Sequence, residues 1–291
     1  MSIMLSKEFQ RDIEKIKIDT IHGAVYLTIE ILKAIRKEVE RTEETGVKNF
    51  NALIEELETI HPEMASIRIA IKLLKDGKSH RIKKKIDYLD LIDVIYERIM
   101  FKEKITSTNL MKILTNAQSI MTISYSTTIL DAFKQLAANT IDKRVYVLES
   151  RPKREGIVLA KRLAELGFKV RLIADAAAGY YAKDADMIVI GADTILPDGS
   201  ILNKIGSFQL ALIAKYYQKP FVVAASTNKF ATTASENLKE LITDKPKEEI
   251  YESTIEKLTV KNIYFELIPR ELVTIFVSDE EVELFPEGND K

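Results

Sequence analysis

Polar and charged side chains follow the short apolar runs in the second half of the chain. They are Ser124, Ser126, Arg151, Arg154, Asp193 and Lys229. Arginine and lysine bind phosphate, and a carboxylate such as Asp193 accepts hydroxyl protons. Helix N-termini beside such loops offer free N–H groups to an anion. Together these residue types predict a site for a small, phosphorylated, hydroxyl-rich ligand, although each one alone is more typical of a polar surface loop.

The apolar runs that precede these residues alternate with amphipathic segments. Predicted strands cover Ser119–Ile123, Val145–Glu149, Lys169–Ile173, Asp186–Ile190 and Pro220–Ala224, and predicted helices cover Thr127–Ala138, Gly156–Leu166 and Lys204–Tyr217. Such alternation predicts a parallel sheet between helices, with ligands beyond the carboxyl ends of its strands. Gly167 fits the residue after the second helix, and Asn203 fits the N-cap of the third.

The first hundred residues have a different pattern. From Phe9 to about Lys104 apolar residues recur at helical spacing, and Asp76-Gly77 predicts the end of one of these helices. The predicted fold class is therefore α/β, with an N-terminal helical domain over 1–105 and a Rossmann-like domain with a mainly parallel sheet over 106–291. The acidic tail from Asp279 to Lys291 is predicted to be a frayed end.

Several classes of function are excluded or disfavoured by composition. The chain has 291 residues and no cysteine, which excludes disulfides, thiolate metal clusters and a cysteine nucleophile. His22, His61 and His80 stand far apart, so no metal site is predicted. There is neither a G-x-G-x-x-G motif nor a P-loop, so no nicotinamide, flavin or other cofactor is expected.

The charge pattern bears on partners and location. Lys and Arg total 43 against 44 Asp and Glu, a net charge of −1, so nucleic acid is a disfavoured partner. The basic run from Lys78 to Lys85 is interpreted as a solvated helix start. No apolar run approaches the roughly eighteen residues needed to cross a bilayer, and no signal peptide is recognised. A cytoplasmic protein that does not bind membranes is expected.

Several motifs in the second half resemble one known family. They are Ile190-Gly191-Ala192-Asp193, Pro197-Asp198-Gly199-Ser200, Asn203-Lys204-Ile205-Gly206 and Phe221–Ala225, with Glu149–Pro152 before them and Pro269–Thr274 after them. This set resembles the translation initiation factor 2B family, which includes regulatory alpha, beta and delta subunits and two sugar-phosphate isomerases. The resemblance implies a helical domain followed by a Rossmann-like domain, and a homodimer formed through the latter.

The resemblance also assigns roles to individual positions. The family's isomerases use a cysteine and an aspartate as an acid–base pair that moves protons between C1 and C2 of the sugar. Asp193 matches that aspartate, and Ser124 takes the place of the cysteine. Asn203 and Lys204 match positions that contact substrate, and Lys229 is aligned with another.

Three positions depart from the isomerase pattern. A serine hydroxyl ionises at far higher pH than a thiol, so Ser124 is a poor substitute in acid–base work. His22-Gly23-Ala24 stands where the isomerases carry Arg-Gly-Ala, and His61-Pro62 stands where they carry Arg-Pro. A neutral imidazole does not replace a guanidinium that is always charged.

These departures favour a non-catalytic, archaeal-type protein like the alpha subunit of initiation factor 2B, with a retained pocket for a sugar phosphate or nucleoside monophosphate. Its expected partners are a second copy of itself, initiation factor 2 or other 2B-type subunits. The alternative is a ribose-1,5-bisphosphate isomerase in which Asp193 and Ser124 are catalytic. A third hypothesis is a partner-binding factor without a small ligand. The candidate ligand-binding residues are His22, Gly23, Ala24, His61, Ser126, Arg151, Arg154, Asn203, Lys204 and Lys229.

Overall fold

The first part of the chain is helical. The computed structural model describes residues 5–41, 50–78, 84–138, 142–231 and 241–284. The helices are α1 (Lys7–Ile18), α2 (Ala24–Arg41), α3 (Phe50–Leu57), α4 (Ala65–Lys78) and α5 (Lys85–Leu114). Ser6 caps α1, because its Oγ accepts a hydrogen bond from the Phe9 N–H at 3.1 Å. The apolar faces of all five helices meet in one core.

The second part is built around a seven-stranded sheet. Its elements in chain order are β1 (Ser119–Thr122), α6 (Thr127–Ala137), β2 (Arg144–Leu148), α7 (Glu155–Glu165), β3 (Lys169–Ile173), α8 (Ala178–Tyr181), β4 (Met187–Ile190), α9 (Ser207–Tyr216), β7 (Phe221–Ala224), β9 (Ile275–Val277) and β10 (Val282–Leu284). The strand order is β10-β9-β7-β4-β1-β2-β3, and every pair is parallel except β9 with β10. The predicted α/β class with a mainly parallel sheet is confirmed.

Three short strands form a second, antiparallel sheet. They are β5 (Thr194–Ile195), β6 (Ile201–Lys204) and β8 (Phe265–Ile268), in the order β5-β6-β8. In β6 Asn203 lies opposite Glu266 and Lys204 lies opposite Phe265. This small sheet carries the two residues of the Asn203-Lys204 motif, and it follows directly after Asp193.

The central strands of the main sheet, β1, β2, β4 and β7, are buried on both faces. In β1, Ile120 packs with α5, α6 and α7, whereas the next residue, Met121, packs with α8 and α9. Successive side chains of a strand point to opposite faces, so an apolar run without polar alternation is what a sheet covered on both sides requires. The chain leaves β1 toward β2 and β3, then returns to β4 on the other side of β1. The switch point of the sheet therefore lies between β1 and β4.

Two predicted helix boundaries are wrong. Asn203 is not an N-cap, because it lies in β6 and α9 begins at Ser207 after Gly206, whose φ is +99°. Instead, the Glu266 carboxylate caps α9 by accepting hydrogen bonds from the N–H groups of Gly206 and Phe208 at 2.6 and 2.8 Å. Gly77 does not end its helix, since α4 continues to Lys78. A Cβ at Gly77 would lie 2.6 Å from a Leu91 methyl, so this glycine permits close packing of α4 on α5.

The ends of other elements either agree with the sequence-based prediction or lie at different residues. Gly167 follows α7 with φ +94°, and the backbone bonds of Gly167 and Phe168 to Ala164 and Leu163 close the helix end as expected. Helix α5 runs unbroken from Lys85 to Leu114, so the proposed division at 105/106 lies inside it and stays a prediction. Most of the basic run and residues 285–291 of the tail lie outside the described residues. The tail residues Val282–Leu284 form β10 rather than a frayed end.

Candidate functional site

A cavity of about 420 Å³ lies between the helical part and the carboxyl ends of the central strands. This volume is in the range of small-ligand sites. Its walls include residues after β1 and β4, the start of α2, the loop before α4, and the segment from Lys245 to Phe265. The position beyond the switch point is where parallel sheets bind ligands.

Asp193 follows β4 and is attached to both parts of the molecule. Its N–H donates to the Leu202 carbonyl at 3.0 Å, and its carbonyl accepts from the Ala65 N–H at the start of α4 at 3.2 Å. The Ala65 N–H also lies 3.0 Å from Thr194 Oγ1. The backbone of Asp193 is thereby held between β6 and α4, which places its side chain in the cavity wall.

The electrostatic surroundings of Asp193 make it a proton acceptor suited to neutral pH. Burial raises the pKa of its carboxyl to about 6. The positive charge of Lys229, which is buried, acts against this shift, and the negative charge of Glu63 adds to it. A carboxyl that titrates near the working pH is more effective in general acid–base catalysis than an ordinary one.

Ser124 is part of a buried network after β1. Its backbone has φ +68°, and its N–H donates to Ser150 Oγ at 2.7 Å. Its hydroxyl donates to Glu155 Oε1 at 3.0 Å, and the same oxygen lies 2.8 Å from Lys204 Nζ. Glu155 and Lys204 are 3% and 4% exposed, so this ion pair is shielded from water. The Ser124 hydroxyl is therefore bonded to a buried carboxylate.

The N-terminus of α2 forms the opposite wall. The Asp19 carboxylate accepts hydrogen bonds from the Ile21 and His22 N–H groups and lies 2.7 Å from His22 Nδ1. The His22 ring stacks on Tyr26 with 4.0 Å between ring centroids. Gly23 and Ala24 bring the first turn of α2 to the cavity, and that turn carries no acidic residue. Its free N–H groups can therefore bind an anion.

His61 precedes α4 and pairs with Glu63. Its Nε2 atom lies 2.8 Å from the Ile16 carbonyl oxygen, and its Nδ1 atom lies 3.5 Å from the Glu63 carboxylate. Burial opposes the charged form, but the contacts with Glu63 and Ile16 outweigh it and raise the pKa of the imidazole. Two acceptors on the two ring nitrogens favour imidazolium. The role of His61 in place of the family's arginine stays a prediction.

Tyr264 is the centre of a third group of charged residues. Three ammonium groups lie over its ring, with Nζ to centroid distances of 5.2 Å for Lys204, 5.2 Å for Lys245 and 5.4 Å for Lys153. Its hydroxyl donates to Glu249 at 2.6 Å, and burial together with this bond raises the pKa of the phenol. Several cations thus meet at Tyr264, and two of them are paired with carboxylates, Lys204 with Glu155 and Lys153 with Glu249. A phosphate group would add a further acceptor for these donors.

The structure brings most of the predicted site residues together. Ten of the twelve lie in the cavity wall, namely His22, Gly23, Ala24, His61, Ser124, Ser126, Asp193, Asn203, Lys204 and Lys229. Ser126 also caps α6 through its Oγ, 3.3 Å from the Ile129 N–H. Arg151 and Arg154 lie outside the wall: the Arg151 guanidinium donates to the Glu249 carbonyl at 2.9 Å, and Arg154 is exposed. The roles of all twelve residues stay predictions.

Several residues of the cavity were missed by sequence reasoning. Glu155 had a signal, since it opens a helix directly after the Ser150–Arg154 loop, and Glu63 stands two residues after His61. Tyr264, Lys245 and Glu249 gave no such signal, because the apolar residues of their segment follow neither helical nor strand periodicity. No group of three or more His, Asp or Glu side chains in the described part of the chain is placed to hold a metal ion. Within the described residues, no helix is long and apolar enough to span a membrane.

The fold and the cavity define a Rossmann-like α/β protein with a helical N-terminal part and a cavity lined by charged residues at the sheet's switch point. The chain belongs to the Initiation factor 2 subunit family, whose model matches residues 20–282. The resemblance drawn from the sequence motifs is thereby confirmed.

Some relatives are named as isomerases, and others are named for their likeness to a translation initiation factor subunit. The ribose 1,5-bisphosphate isomerase of Archaeoglobus fulgidus is 36% identical over 163 residues, which are 55% of this chain and 52% of that protein. The match thus spans about half the length of that isomerase. A Pyrococcus furiosus protein named for its likeness to subunit 2 of translation initiation factor eIF-2B is 28% identical over 284 residues, 97% of this chain and 99% of that protein.

Solved structures share the fold. Translation initiation factor eIF-2B of Pyrococcus horikoshii has a TM-score of 0.83 at 23% identity, over 97% of this chain and 98% of that one. The 5-methylthioribose 1-phosphate isomerase of the same organism has a TM-score of 0.79 at 20% identity, over 95% and 84%. A tetrameric eIF2B beta2-delta2 complex from C. thermophilum matches with a TM-score of 0.66 at 17% identity, over 96% and 91%. Related eIF2B subunits therefore form oligomers.

The expectation of a non-catalytic protein is overturned by these relatives. Four further proteins, at 28% to 35% identity, are also named ribose 1,5-bisphosphate isomerase. The comparisons therefore favour the isomerase alternative. The physical argument against it treated Ser124 as an unassisted hydroxyl, and the structure instead bonds that hydroxyl to Glu155.

Proposed function

We propose that this protein is an aldose–ketose isomerase that converts ribose 1,5-bisphosphate, or a closely similar phosphosugar, to the corresponding ketose. The observation that carries the proposal is Asp193, a carboxyl of pKa about 6 in the wall of a charged cavity at the switch point of the sheet. An isomerase needs a base that is ionised at neutral pH yet readily returns the proton. The five relatives named for this reaction support the choice of substrate.

The charge of the cavity suits a bisphosphate. Lys153 and Lys245 lie over Tyr264, and the imidazole of His61 lies in the wall of the same cavity. The N-termini of α2 and α6 add backbone N–H groups through Ala24 and Thr127. Together these donors fit a ligand that carries two phosphates, and the carboxylates of the cavity wall fit its hydroxyls.

A direct assay tests the proposal. The purified protein is incubated with ribose 1,5-bisphosphate, and formation of ribulose 1,5-bisphosphate is followed. We expect turnover in the wild type and a loss of kcat of about 10³-fold in Asp193→Asn, the range for removal of a general base. Asp198→Asn, a turn residue outside the cavity wall, is the matched control and should leave kcat unchanged. Absence of turnover in the wild type would refute the isomerase.

Binding is measured separately from chemistry. Ribose 1,5-bisphosphate at a hundred times its Kd should stabilise both the wild type and Asp193→Asn by about 2.7 kcal/mol in thermal unfolding. A nucleoside monophosphate, the other ligand class considered from the sequence, serves as the comparison. Stronger stabilisation by the nucleotide than by the bisphosphate would contradict the substrate choice.

We also propose that the chain forms a homodimer through its α/β part. Strand β3 is an edge of the large sheet, and Tyr180 of α8 and Tyr216 of α9 are 66% and 81% exposed. Exposed aromatic side chains beside a free strand edge are typical of interfaces. Sedimentation equilibrium should give twice the chain mass for the wild type, and Tyr180→Glu/Tyr216→Glu should give the single-chain mass. Initiation factor 2 as a partner, and the archaeal type, stay predictions.

A further inference from the structure

Glu155 is a buried carboxyl that the described structure satisfies only in part. It is the first residue of α7, and its Oε1 atom has two partners, the Ser124 hydroxyl at 3.0 Å and Lys204 Nζ at 2.8 Å. Its Oε2 atom is buried and has no hydrogen-bond partner among the described residues. An ionised carboxylate with one unsatisfied oxygen is costly in such a place. Protonation lowers that cost.

The backbone holds Ser124 against Glu155. Ser124 has φ +68° although it is not glycine, and its N–H is bonded to Ser150 Oγ. Such a conformation is unfavourable for a residue other than glycine, and it is found preferentially at functional sites. Gly156 allows the start of α7 to pack on the end of β2, since a Cβ there would lie 1.8 Å from the Leu148 carbonyl oxygen. Both partners of the hydrogen bond are thus fixed by local structure.

We propose that Ser124 and Glu155 form a hydrogen-bonded proton relay that works opposite Asp193 during isomerisation. The proposal rests on the isomerase function proposed above. Ser124 is the residue that touches the sugar, and Glu155 acts through it. The relay explains how a serine can stand where the related isomerases carry a cysteine, because the carboxyl behind the hydroxyl supplies and removes the proton.

The proton balance of the reaction requires two such groups. Asp193 takes the proton from C2, the freed electron pair forms the C1–C2 double bond, and the bond from C1 to the ring oxygen breaks. Ser124 gives its proton to that oxygen while Glu155 gives its own to Ser124. The C2 hydroxyl then returns a proton through Ser124 to Glu155 as the C2 carbonyl forms, and C1 takes the proton held by Asp193. Both groups end as they began, and nothing is oxidised or reduced overall.

The surroundings of Glu155 suit this exchange. Burial raises the pKa of its carboxyl, while the charge of Lys204 and the hydrogen bonds to it act against that shift. The groups that face Glu155 are Lys204 from β6, Ser124 after β1, Asp193 after β4 and Tyr264 before β8. Lys204 stabilises the carboxylate after the proton has left, so the proton can move both ways.

Kinetics of four variants test the relay against a structural role. Ser124→Ala and Glu155→Gln should each lower kcat by about 10²-fold or more. The double variant should lose no more than the worse single variant, because both changes break one unit. Ser124→Cys placed in the Glu155→Gln background should raise kcat about tenfold or more above Glu155→Gln alone, since a thiol donates and accepts protons without help.

The pH profile distinguishes the relay from simple packing. The wild type should show a bell in kcat/KM, rising as Asp193 ionises and falling as Glu155 loses its proton. Glu155→Gln should lose the falling limb, while Asp198→Asn, a change outside the cavity wall, should keep it.

The outcomes are distinct. Turnover in the wild type, its loss in Asp193→Asn, and unchanged kcat and pH profile in Glu155→Gln would overturn the relay and leave the isomerase in place. No turnover in the wild type would overturn both. If Glu155→Gln fails to fold, Ser124→Ala and Ser124→Cys decide, since the relay requires a group that carries a proton at this position: equal kcat in these two variants would overturn it.

Discussion

The two walls of the cavity are built in different ways. On the sheet wall, Ser124 and Asp193 follow neighbouring parallel strands, and the Glu155–Lys204 pair behind them is buried. On the helical wall, His61 contacts the Ile16 carbonyl and Glu63, and His22 contacts Asp19 and stacks on Tyr26. Strand ladders fix the positions of the sheet-wall groups, whereas loops and helix ends suffice for holding a phosphate. Under the function proposed above, the sheet wall would carry the proton transfer and the helical wall would bind phosphate.

The largest expected effect comes from breaking the buried pair of the sheet wall. Lys204→Met removes the cation that pairs with Glu155, so at a pH where Glu155 is ionised the free energy of unfolding should fall by about 3–5 kcal/mol. Urea denaturation measures it. Lys204→Met/Glu155→Gln should regain most of the loss, because no charge is then left unpaired.

The matched control is the exposed pair of Lys33 with Glu30. Lys33→Met should change the free energy of unfolding by less than about 1 kcal/mol. If Lys204→Met cost no more than this control, the description of the sheet wall as a buried electrostatic unit would be wrong.

A smaller effect is expected at Asp193. Its folded pKa of about 6 lies above the ordinary value of 3.8, so the folded state binds the proton more tightly than the unfolded state does. Wild-type stability therefore falls as pH rises from about 3.8 to about 6. Asp193→Asn lacks this penalty and should be more stable than the wild type at pH 7 by about 1–3 kcal/mol. Thermal unfolding over this pH range provides the measurement.

The comparison for Asp193 is Asp131→Asn, an exposed carboxyl on α6. At neutral pH, the free energy of unfolding of Asp131→Asn should not exceed that of the wild type. A wild type that is more stable than Asp193→Asn at pH 7 would contradict the assignment of a strained, functional carboxyl at this position.

The smallest effect is expected on the helical wall, at the His61–Glu63 pair. The pKa of His61 is raised, so its contribution to stability is full below about 6.5 and is lost as pH rises through the higher folded value. The pKa of Glu63 is lowered, chiefly by His61 acting against burial, so its contribution is lost as pH falls below about 4.5. His61→Gln should cost about 1 kcal/mol between these limits and less outside them.

Thermal unfolding of wild type and His61→Gln from pH 4 to pH 8 checks this window. Glu63→Gln should show the same window, and the double variant should add nothing further, because one interaction is removed in all three. A cost that is constant with pH would mean that His61 is held as a neutral ring.

Most of the fold could be predicted because it depends on local patterns. The apolar runs of β1 to β4 and β7, and the three predicted helices of the α/β part, lie within three residues of their expected bounds. The errors fall where distant groups decide the structure. Asn203 joined β6 because β8 pairs with it. Gly77 lies inside α4, where Leu91 of α5 occupies the space that a side chain at this position would need.

The candidate site could be predicted only in outline. Asp193, Asn203 and Lys204 could be predicted because they lie in sequence motifs that resemble those of the family. Arg151 and Arg154, chosen for their charge and their place after a strand, lie outside the cavity wall. Arg151 instead bonds the backbone of Glu249, a residue far along the chain that no pattern connects to it.

By itself, the sequence determined which segments become helices and strands, where the polar loops lie, and which family the chain resembles. These follow from periodicity and from short motifs, which are properties of neighbours in the chain. The tertiary structure alone decided that Glu155 stands behind Ser124, that His61 has an acceptor on each nitrogen, and that Asp193 titrates near pH 6. Desolvation and ion pairing depend on groups brought together from distant segments, and no local pattern encodes them.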